Sequence, residues 1–579
     1  MKIFINFWNI LNKKEKIFFT TIIFFSIIQA LLELIGIAAI IPFVTYLLKP
    51  ESIGNFGFLP ELINFEKITS KENIVTIFCI ILFLIFLIKN LIIVFTNTLT
   101  YKFIYSIRTK LYKNILNKIL HQDYLFFVKK GMSKIFNVTF SEVNNYAANI
   151  VRPIINVITE FLISITILFL IVISGYLDGL LIILPILILA GLILKKINKS
   201  IKNWSTTRIL NNENIFNLNF SLVNGIKEIL IFGKIRKILN NFSTSLNSLE
   251  KVDAKNAVIV TIPRVILEQF IILVLILIIL SMYYAGKSSD SIIIILSFFL
   301  AAAYRLVPSF NRIFVAYQQI KFGKPSQPLI SEYYNLKNKN LFTDDQNIYE
   351  NNLNLINFKK NIQLKNISFS YSDNKDILHK LNFTINKFDL IGISGESGSG
   401  KSTLVNILTR LIEPDSGNLS VDNVEIKSLQ NIRNYQNLFN ITSQDSFLLN
   451  GSIKDNIVFG KDSKICLKRL EEAIKFARLE QMINELPDGI ETDVGLTFKK
   501  LSSGQKQRIA LARAYYLDRA IIIFDEATNA LDEKNESKII ENILKLKSKK
   551  TIIIISHNEK NLKECDKIFK FENKTLKQV

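Results

Sequence analysis

A glycine-rich loop connects an apolar run to a helical pattern at residues 391–403, which read Ile-Gly-Ile-Ser-Gly-Glu-Ser-Gly-Ser-Gly-Lys-Ser-Thr. The apolar run predicts a buried strand, and the loop has the spacing G-x-x-x-x-G-K-[ST] of a phosphate-binding loop. Glycine lets backbone N–H groups turn toward an anion, and the following helix directs its positive N-terminus at the same point. The segment therefore predicts an α/β domain that binds a nucleoside triphosphate.

The side chains of this loop have separate tasks in that interpretation. The ammonium group of Lys401 reaches the β- and γ-phosphates, and the hydroxyl of Ser402 is a ligand for Mg²⁺. The candidate nucleotide-binding residues of the loop are Gly395, Ser397, Gly398, Gly400, Lys401, Ser402 and Thr403.

An acidic pair follows a second apolar run, Ile521–Phe524. At the end of such a strand, Asp525 is a candidate ligand for Mg²⁺, and Glu526 is a candidate catalytic base that polarises the attacking water. His557 comes shortly after a third apolar run, Thr551–Ile555, and is a candidate for contact with the γ-phosphate. These side chains together predict hydrolysis of the nucleotide.

Six apolar stretches are long enough to cross a bilayer, which takes about 20 helical residues. The chain has 579 residues, is 49% hydrophobic and contains 44 Phe, which indicates a membrane protein and not only a large soluble core. The predicted spans are residues 16–46, 73–98, 153–174, 176–198, 258–284 and 290–322. We therefore expect a multi-domain membrane protein with a six-helix all-α transmembrane domain and an α/β nucleotide-binding domain.

The formal net charge of +22 is unevenly distributed. Residues 99–152 and 195–256 carry 9 and 11 Lys or Arg, whereas the short turn at 175–179 carries none. The positive-inside rule places the two basic segments in the cytoplasm. An even number of spans then puts both termini on that side, and the spans argue against a soluble enzyme that acts on nucleic acid.

A polar, Asn-rich stretch divides the chain. We expect a transmembrane domain at 1–322, a linker at 323–360 and a nucleotide-binding domain at 361–579. The basic segments have helical patterns and would extend the spans into the cytosol, with tips near His121–Ile135 and Ser221–Ile235.

Residues 501–505, Leu-Ser-Ser-Gly-Gln, resemble the signature motif Leu-Ser-Gly-Gly-Gln of ATP-binding-cassette (ABC) transporters. Six spans followed by one cassette look like the type IV exporter architecture. Gln444 matches the family's glutamine loop, and 530–532 match the loop after the catalytic glutamate. The resemblance implies ATP as nucleotide, Mg²⁺ as cofactor, adenine stacking on Tyr371, and a role for Gln444 in catalysis and metal binding.

By the same resemblance, the signature serves the ATP held by a second cassette. Its residues Ser502, Ser503, Gly504 and Gln505 begin a helix whose N-terminus is another anion-binding helix end. One chain supplies one phosphate loop and one signature, so two chains are needed to close two ATP sites. Heterodimers of the family usually have a degenerate glutamate in one partner, and the intact Glu526 favours a homodimer.

Three departures from the family pattern bear on the expected activity. Ser503 replaces a glycine, Asn558 stands where an arginine often follows the histidine, and 496–498 lack the expected acidic residue. None of them removes a catalytic group. We expect slower ATP turnover or altered coupling, not inactivity.

Charged residues inside the spans are candidates for contact with a transported molecule, because their burial in lipid is costly. Arg305 and Arg312 are seven residues apart on one helical face, and Arg264 precedes Glu268 by one turn. Further charged candidates in the spans are Glu33, Lys89 and Glu160. The structural alternative is that Arg264 and Arg312 snorkel, or pair with Glu160 or Glu268.

The runs 262–264 and 304–312 resemble lipid-linked oligosaccharide flippases of the PglK type. This resemblance implies that Arg264, Arg305 and Arg312 line the passage and meet the lipid's pyrophosphate, which guanidinium groups bind bidentately. Residues 58–68 fit the external amphipathic helix of that family, although an ordered loop packed on the bundle explains them equally well. We expect a flippase of the bacterial inner membrane that moves a lipid-linked glycan outward.

Two alternatives stay open. Export of a peptide, drug or other lipid would use the same ATP-driven mechanism, although peptide-processing exporters usually carry a protease domain before the first span. About 15 residues precede that span here. A nucleotide-gated channel or regulator that does not pump is the second alternative, and the intact Glu526 and His557 argue against it.

Overall fold

The computed structural model of the chain describes the backbone of residues 2–48, 71–173, 178–286, 289–337, 358–371, 376–443, 446–459, 465–494, 501–527 and 533–579. Several sequence predictions fall outside these residues: the external segment 58–68, residues 175–177 of the short turn 175–179, most of the linker, Gln444, 496–498 and 530–532. The chain divides into two compact units. The first contains Met1–Leu120 and Lys130–Lys337, and the second contains His121–Lys129 and Asn338–Val579.

The first unit is helical throughout its described residues. Its α-helices are α1 (Lys2–Ile10), α2 (Lys13–Ala38), α3 (Ile40–Leu48), α4 (Lys71–Leu120), α6 (Met132–Phe136), α7 (Val143–Tyr146), α8 (Arg152–Ile173), α9 (Asp178–Asn224), α10 (Ile226–Ile231), α11 (Ile235–Tyr284), α12 (Ser289–Gly323) and α13 (Ser326–Tyr334), while α5 (Tyr124–Lys130) starts in the second unit. Two π-helical turns, Asn137–Glu142 and Ala147–Val151, flank α7. The long helices α4, α9 and α11 continue the apolar spans into polar sequence, as their patterns predicted.

Five helical stretches among the described residues are long and apolar enough to cross a membrane: Lys13–Leu47, Val75–Leu120, Met132–Ile173, Ile235–Tyr284 and Ile292–Gly323. They cover two predicted spans in full, 16–46 and 258–284, and all but one or two residues of three others, 73–98, 153–174 and 290–322. The remaining one, 176–198, is helical from Asp178 onward within α9, but the side chains of 178–199 are outside the description.

The apolar residues of these helices divide between a core and a lipid-facing surface. The core includes Ile163, Ile167, Leu267, Phe298 and Leu306, contributed by α8, α11 and α12. Along α4 a row of large apolar side chains is exposed, namely Ile80, Phe83, Leu84, Leu87, Ile88, Leu91, Val94 and Phe95. Water does not tolerate so large a continuous apolar surface, so this face is suited to lipid.

The second unit is an α/β domain with two sheets. Its strands are β1 (Asn361–Ser370), β2 (Asp376–Asn386), β3 (Leu390–Gly395), β4 (Ser416–Val421), β5 (Val424–Glu425), β6 (Phe439–Thr442), β7 (Ile521–Asp525), β8 (Thr551–Ile555), β9 (Lys567–Glu572) and β10 (Thr575–Gln578). Its helices are α14 (Lys401–Leu408), α15 (Leu429–Gln436), α16 (Ile453–Val458), α17 (Leu467–Phe476), α18 (Glu480–Asn484), α19 (Ser503–Leu517) and α20 (Glu533–Leu544).

The larger sheet has the strand order β10-β9-β3-β8-β7-β6 and is parallel from β9 to β6. The smaller, antiparallel sheet has the order β2-β1-β4-β5. Alternate residues of β7 enter different cores: Ile521 and Ile523 on one face, Ile522 and Phe524 on the other. A strand buried on both faces must be apolar throughout, which explains the continuous apolar runs in the sequence.

A short piece of the long helical hairpin belongs to this second unit. Residues 121–129 cluster with it, and the side chain of Leu125 packs against the core that contains Ile391, Ile393 and Leu404. Of the first predicted hairpin tip, 121–135, residues 121–129 thus belong to the nucleotide-binding unit, and the remaining residues belong to the helical unit.

Candidate ATP site and charged cluster of the transmembrane region

The parallel sheet brings three of the predicted motifs to one edge. Ile393 of β3 and Asp525 of β7 both pair in register with Ile555, because β8 lies between those strands. The phosphate loop follows β3, the acidic pair ends β7, and His557 follows β8. Carboxyl ends of neighbouring parallel strands form the usual ligand crevice of an open α/β sheet.

The phosphate loop depends on glycine at two positions where the backbone is crowded. Gly395 has φ +152°, and a Cβ there would lie 2.8 Å from the Cβ of Phe571. Gly400 has φ +114°, and a Cβ there would lie 3.2 Å from Ile377 and from the ring of Phe571. Near Gly398, by contrast, a Cβ would meet nothing within 4 Å. The loop is therefore crowded at Gly395 and Gly400 and open at Gly398, which leaves space for a phosphate on the open side.

Lys401 is the first residue of α14 and is buried. Its Nζ donates hydrogen bonds to the carbonyl oxygens of Gly395 at 2.7 Å and Glu396 at 2.8 Å. Burial lowers the pKa of Lys401, and the nearby carboxylates of Glu526 and Asp525 oppose that shift. The ammonium is therefore held across the loop, where an anion would find it.

The acidic pair and the histidine meet directly. Nε2 of His557 lies 2.7 Å from Oε1 of Glu526, whose side chain is largely buried. Burial raises the pKa of Asp525, the neighbouring Glu526 raises it further, and Lys401 and His557 act in the opposite direction. The arrangement gives Glu526 a histidine partner and keeps both carboxylates within electrostatic reach of the Lys401 ammonium.

The backbone of Glu526 adopts φ +52°, which is uncommon for a residue other than glycine. Its N–H donates to the carbonyl oxygen of Ile555 at 3.0 Å, and its carbonyl oxygen accepts from Nε2 of Gln507 at 3.5 Å. Backbone conformations of this kind persist where surrounding contacts enforce them, often at functional sites.

The residues predicted for Mg²⁺ have suitable chemistry at this edge. Ser402 is exposed at the start of α14, and Asp525 supplies a carboxylate oxygen, the kind of ligand that Mg²⁺ prefers. The cluster of Asp525 and Glu526 beside one lysine keeps surplus negative charge for a cation. Thr403 is buried in the same helix, whereas Ser397 is exposed on the loop.

The signature residues occupy the first turn of α19. Ser502 is its N-cap: its Oγ accepts from the N–H of Gln505 at 3.2 Å, and its own N–H donates to Oε1 of Gln505 at 2.7 Å. This capping box defines where the helix begins. Ser503 is exposed immediately after it, and Gly504 follows. Tyr371, the predicted adenine platform, is half-buried and meets the ring of Phe369 edge-on.

Within the helical unit, Arg305 and Arg312 belong to one cluster of charges. Nε of Arg305 lies 2.8 Å from Oε1 of Glu33, and its Nη2 lies 3.9 Å from Oε2 of Glu160. Nη1 of Arg312 lies 2.5 Å from Oε1 of Glu160. Lys89 completes the cluster at 3.4 Å from Oε2 of Glu33. Three cations and two carboxylates from α2, α4, α8 and α12 thus leave one surplus positive charge.

Arg264 is not part of this cluster. Its Nε lies 2.8 Å from Oε1 of Glu268 on the same helix, and the Arg264 side chain is 70% exposed. Both pairings that the sequence allowed, Arg264 with Glu268 and Arg312 with Glu160, are therefore present. Of the three arginines predicted to meet the substrate, Arg305 is the one that is mostly buried, with 12% of its side chain exposed.

Sequence reasoning missed two contributors. Gln507, which is buried, links the signature helix to the backbone of Glu526. Arg152 donates through Nη2 to the hydroxyl of Tyr101 at 2.9 Å, at the start of α8. Gln507 lies two residues after the signature motif, but no sequence pattern indicates that it contacts Glu526. Arg152 entered the sequence analysis only as one of the basic residues of segment 99–152.

Comparison with known proteins agrees with this geometry. Residues 378–529 match the family model described as "ABC transporter". The chain is 36% identical over 214 residues to the ATP-dependent lipid A-core flippase of Burkholderia pseudomallei, covering 36% of this chain and 35% of that protein. It is 39% identical over 213 residues to the alpha-hemolysin translocation ATP-binding protein HlyB of Escherichia coli O157:H7, covering 37% and 30%. The chain thus matches about a third of the length of each relative.

A solved structure extends the likeness to the whole chain. The structure of a bacterial Atm1-family ABC exporter with ATP bound covers 96% of this chain, and 95% of that chain is matched. The TM-score is 0.77 at 20% sequence identity, so the likeness is one of fold. The chain therefore contains an ABC transporter ATP-binding domain within the fold of an ABC exporter.

Proposed function

We propose that the chain is an ATP-driven exporter that acts as a homodimer and moves a lipid-linked oligosaccharide from the inner to the outer face of the bacterial inner membrane. The cassette and both termini are cytoplasmic in this proposal. The observation that carries the ATPase part is the meeting of Lys401, Asp525, Glu526 and His557 at one sheet edge.

Each of these side chains has a task in hydrolysis. Lys401 turns from the loop carbonyls to the β- and γ-phosphates of ATP. Glu526 accepts a proton from the attacking water, and His557 holds that carboxylate in place through their 2.7 Å contact. Mg²⁺, held by Ser402 and Asp525 with Gln444, would supply positive charge that neutralises the phosphates.

Two chains are required because the signature helix and the phosphate loop of one chain serve different nucleotides in the proposed dimer. The exposed N-terminus of α19, with Ser502, Ser503, Gly504 and Gln505, supports this arrangement because it presents backbone N–H groups at the surface. Glu526 is intact in this chain, so two copies would form two competent sites.

The first test is ATP hydrolysis by the purified full-length chain in lipid. We expect Mg²⁺-dependent ATPase activity that Glu526→Gln lowers by roughly 10²- to 10⁴-fold, the range for loss of a positioned general base. Glu491→Gln is the matched control, because Glu491 is an exposed carboxylate paired with Lys454. Activity no higher than that of the Glu526→Gln protein would refute the proposal.

The anionic lipid is proposed from the charged cluster. Arg305 is held in the apolar bundle by Glu33 and Glu160, and guanidinium groups bind phosphate bidentately while keeping their charge when desolvated. The similarity to a lipid A-core flippase supports a lipid substrate, whereas the similarity to a haemolysin exporter supports the runner-up, a peptide or protein. The buried cations favour the anionic lipid.

The substrate is tested by reconstitution in vesicles with a fluorescent polyprenyl-pyrophosphate glycan. We expect Arg305→Ala to abolish flipping while ATP hydrolysis continues, because the arginine is remote in sequence from the ATP site and forms ion pairs with Glu33 and Glu160 of the helical unit. Arg264→Ala should have a smaller effect, since that side chain is exposed and paired within its own helix. Unchanged flipping by the Arg305→Ala protein would exclude the proposed role.

A further inference from the structure

A polar cavity of about 230 Å³ lies within the helical unit, between α2, α4, α8 and α12. Three of its thirteen lining residues are isoleucines and the other ten are polar or charged. A second cavity in the same bundle, of about 60 Å³, is lined by apolar side chains alone. Polar groups are costly in a membrane-embedded bundle unless they meet a partner, so the polar cavity is suited to a polar ligand or water.

Three charged side chains line this cavity: Arg152, Arg312 and Glu160. The guanidinium of Arg152 donates to the hydroxyl of Tyr101 and lies 5.3 Å from the centre of its ring. No ion pair among the described residues includes Arg152. The cavity wall therefore carries two positive charges and one negative charge, and its surplus favours an anion.

Glu160 decides how much of that positive charge is available. Its Oε1 lies 2.5 Å from Nη1 of Arg312, and its Oε2 lies 3.9 Å from Nη2 of Arg305. The residue is 4% exposed, whereas the Arg312 side chain is 51% exposed. A carboxylate offers a guanidinium the same pair of oxygen acceptors as a phosphate. Glu160 thus occupies donors that an anionic ligand would use.

We propose that Glu160 is an internal counter-ion that holds Arg312 in this cavity until a phosphate or pyrophosphate group replaces it. The ligand class rests on the proposed function, because an anionic lipid head is what the exporter would move. On replacement, Arg312 and Arg152 bind the anion together, and Glu160 keeps Arg305 as its partner. The exchange frees Arg312 for the anion, while the contact of Glu160 with Arg305, which also lies on α12, keeps the buried carboxylate paired.

The test is binding of polyprenyl phosphate to the purified full-length chain, measured without nucleotide by native mass spectrometry. We expect Glu160→Gln to tighten binding on the order of tenfold, the equivalent of one competing hydrogen bond to a charged group. Glu160→Asp, with its carboxylate drawn back by one methylene, should give an intermediate affinity. Glu268→Gln removes an exposed carboxylate on α11 and should bind as the wild type does.

A gain in affinity is not what structural damage produces, so the direction of the change is decisive. Inorganic pyrophosphate and a phosphatidylcholine with no net charge are the comparison ligands. Tightening for polyprenyl phosphate alone supports a lipid-borne anion, and tightening for pyrophosphate as well supports recognition of the anion itself. Unchanged or weaker binding overturns the proposal, as does equal tightening for phosphatidylcholine. If the Glu160→Gln protein does not fold, the affinity of the Glu160→Asp protein for polyprenyl phosphate decides: tighter binding than wild type supports the proposal, and unchanged or weaker binding overturns it.

Failure of this inference is separable from failure of the proposed function. The binding measurement requires no ATP, and the ATPase measurement requires no Glu160 variant. Wild-type protein that binds polyprenyl phosphate as expected but hydrolyses no ATP would refute export and leave the counter-ion proposal standing. Wild-type protein that hydrolyses ATP, together with Glu160 variants whose binding of polyprenyl phosphate is unaltered, would refute the counter-ion proposal and leave the proposed export standing.

Discussion

At Glu526, backbone and side chain depend on each other. The positive φ turns the chain out of β7, and two hydrogen bonds, from its N–H to Ile555 and from Gln507 to its carbonyl, support that turn. The side chain is then placed beside His557 rather than along the strand direction. The position of the carboxylate is therefore set by backbone contacts to β8 and α19, which no local pattern at Asp525-Glu526 contains.

Ser503 is the departure from the family pattern with the most direct consequence for ATP turnover. It is exposed next to the N-cap of α19, so in the proposed dimer its Cβ and hydroxyl would lie between the helix end and the phosphate bound by the partner chain. We expect Ser503→Gly to raise the steady-state ATPase rate about two- to fivefold, because helix-end electrostatics of 0.3–1 kcal/mol become available at closer range.

Ser503→Ala is the control for that prediction, because it keeps the Cβ and removes only the hydroxyl. If the Cβ is the obstacle, the alanine protein hydrolyses ATP at the wild-type rate. A glycine variant that is no faster than wild type would show that the serine does not limit turnover.

The C-terminal end of α12 is tightly packed at Gly323. A Cβ at Gly323 would lie 2.9 Å from Cβ of Asn149 and 2.9 Å from Cγ1 of Ile150, both in the second π-helical turn. Nearby, Oγ of Ser205 in α9 donates to the carbonyl of Phe322. This junction joins the end of the last span to the extensions of two others.

We expect Gly323→Ala to lower the free energy of unfolding by about 1–3 kcal/mol, the usual cost of overpacking. The measurement is thermal unfolding in detergent. Gly36→Ala is the matched control, because a Cβ at Gly36 in α2 would make an ordinary 3.6 Å contact with the ring of Phe86. Equal midpoints for the two variants would contradict the prediction.

The charged cluster also acts between elements. Glu33, Lys89, Glu160 and Arg305 come from four different helices, and each partner is needed because an unpaired buried charge is costly. Such a network connects α2, α4, α8 and α12 more specifically than apolar packing does. Movement of these helices relative to one another requires an exchange of ion partners.

For the molecule as a whole, exposed apolar side chains at the second predicted hairpin tip, Ser221–Ile235, indicate a surface that binds another protein chain. Around α10, the large apolar side chains Val223, Leu230, Ile231 and Phe232 are more than half exposed, Val223 to 75%. This segment lies in the basic stretch 195–256, outside the apolar spans. An exposed apolar cluster away from lipid is typical of a protein interface. A second copy of the chain is the partner that the proposed homodimer supplies.

We expect the double variant Ile231→Ser, Phe232→Ser to lower transport at least tenfold while the monomer stays folded, because both side chains are 68% exposed. Transport in vesicles and sedimentation of the purified protein are the measurements. Leu467→Ser is the control, since that leucine is equally exposed, at 67%, but lies at the start of α17, outside the cluster around α10. Wild-type transport by the double variant would place the interface elsewhere.

Local chemistry in the chain was sufficient to predict most elements of the fold. Continuous apolar runs produce spans or doubly buried strands because no other environment accepts them, and the glycine spacing at 395–400 admits few backbone paths. Ser502 and Gln505 form a capping box, a motif whose two residues are only three positions apart in the sequence. In each case the interacting groups are close in sequence, so the pattern itself carries the information.

Partners that are distant along the chain depended on the three-dimensional arrangement. The sequence named Arg305, Glu33 and Glu160 as charged, but their pairing joins residues more than a hundred positions apart and depends on how four helices pack. Likewise, Gln507 reaches Glu526, and Arg152 lines a cavity with Arg312, only after the elements assemble. Electrostatic and hydrogen-bond partnerships act over a few ångströms of space, whereas sequence patterns record only neighbours within a turn or a strand.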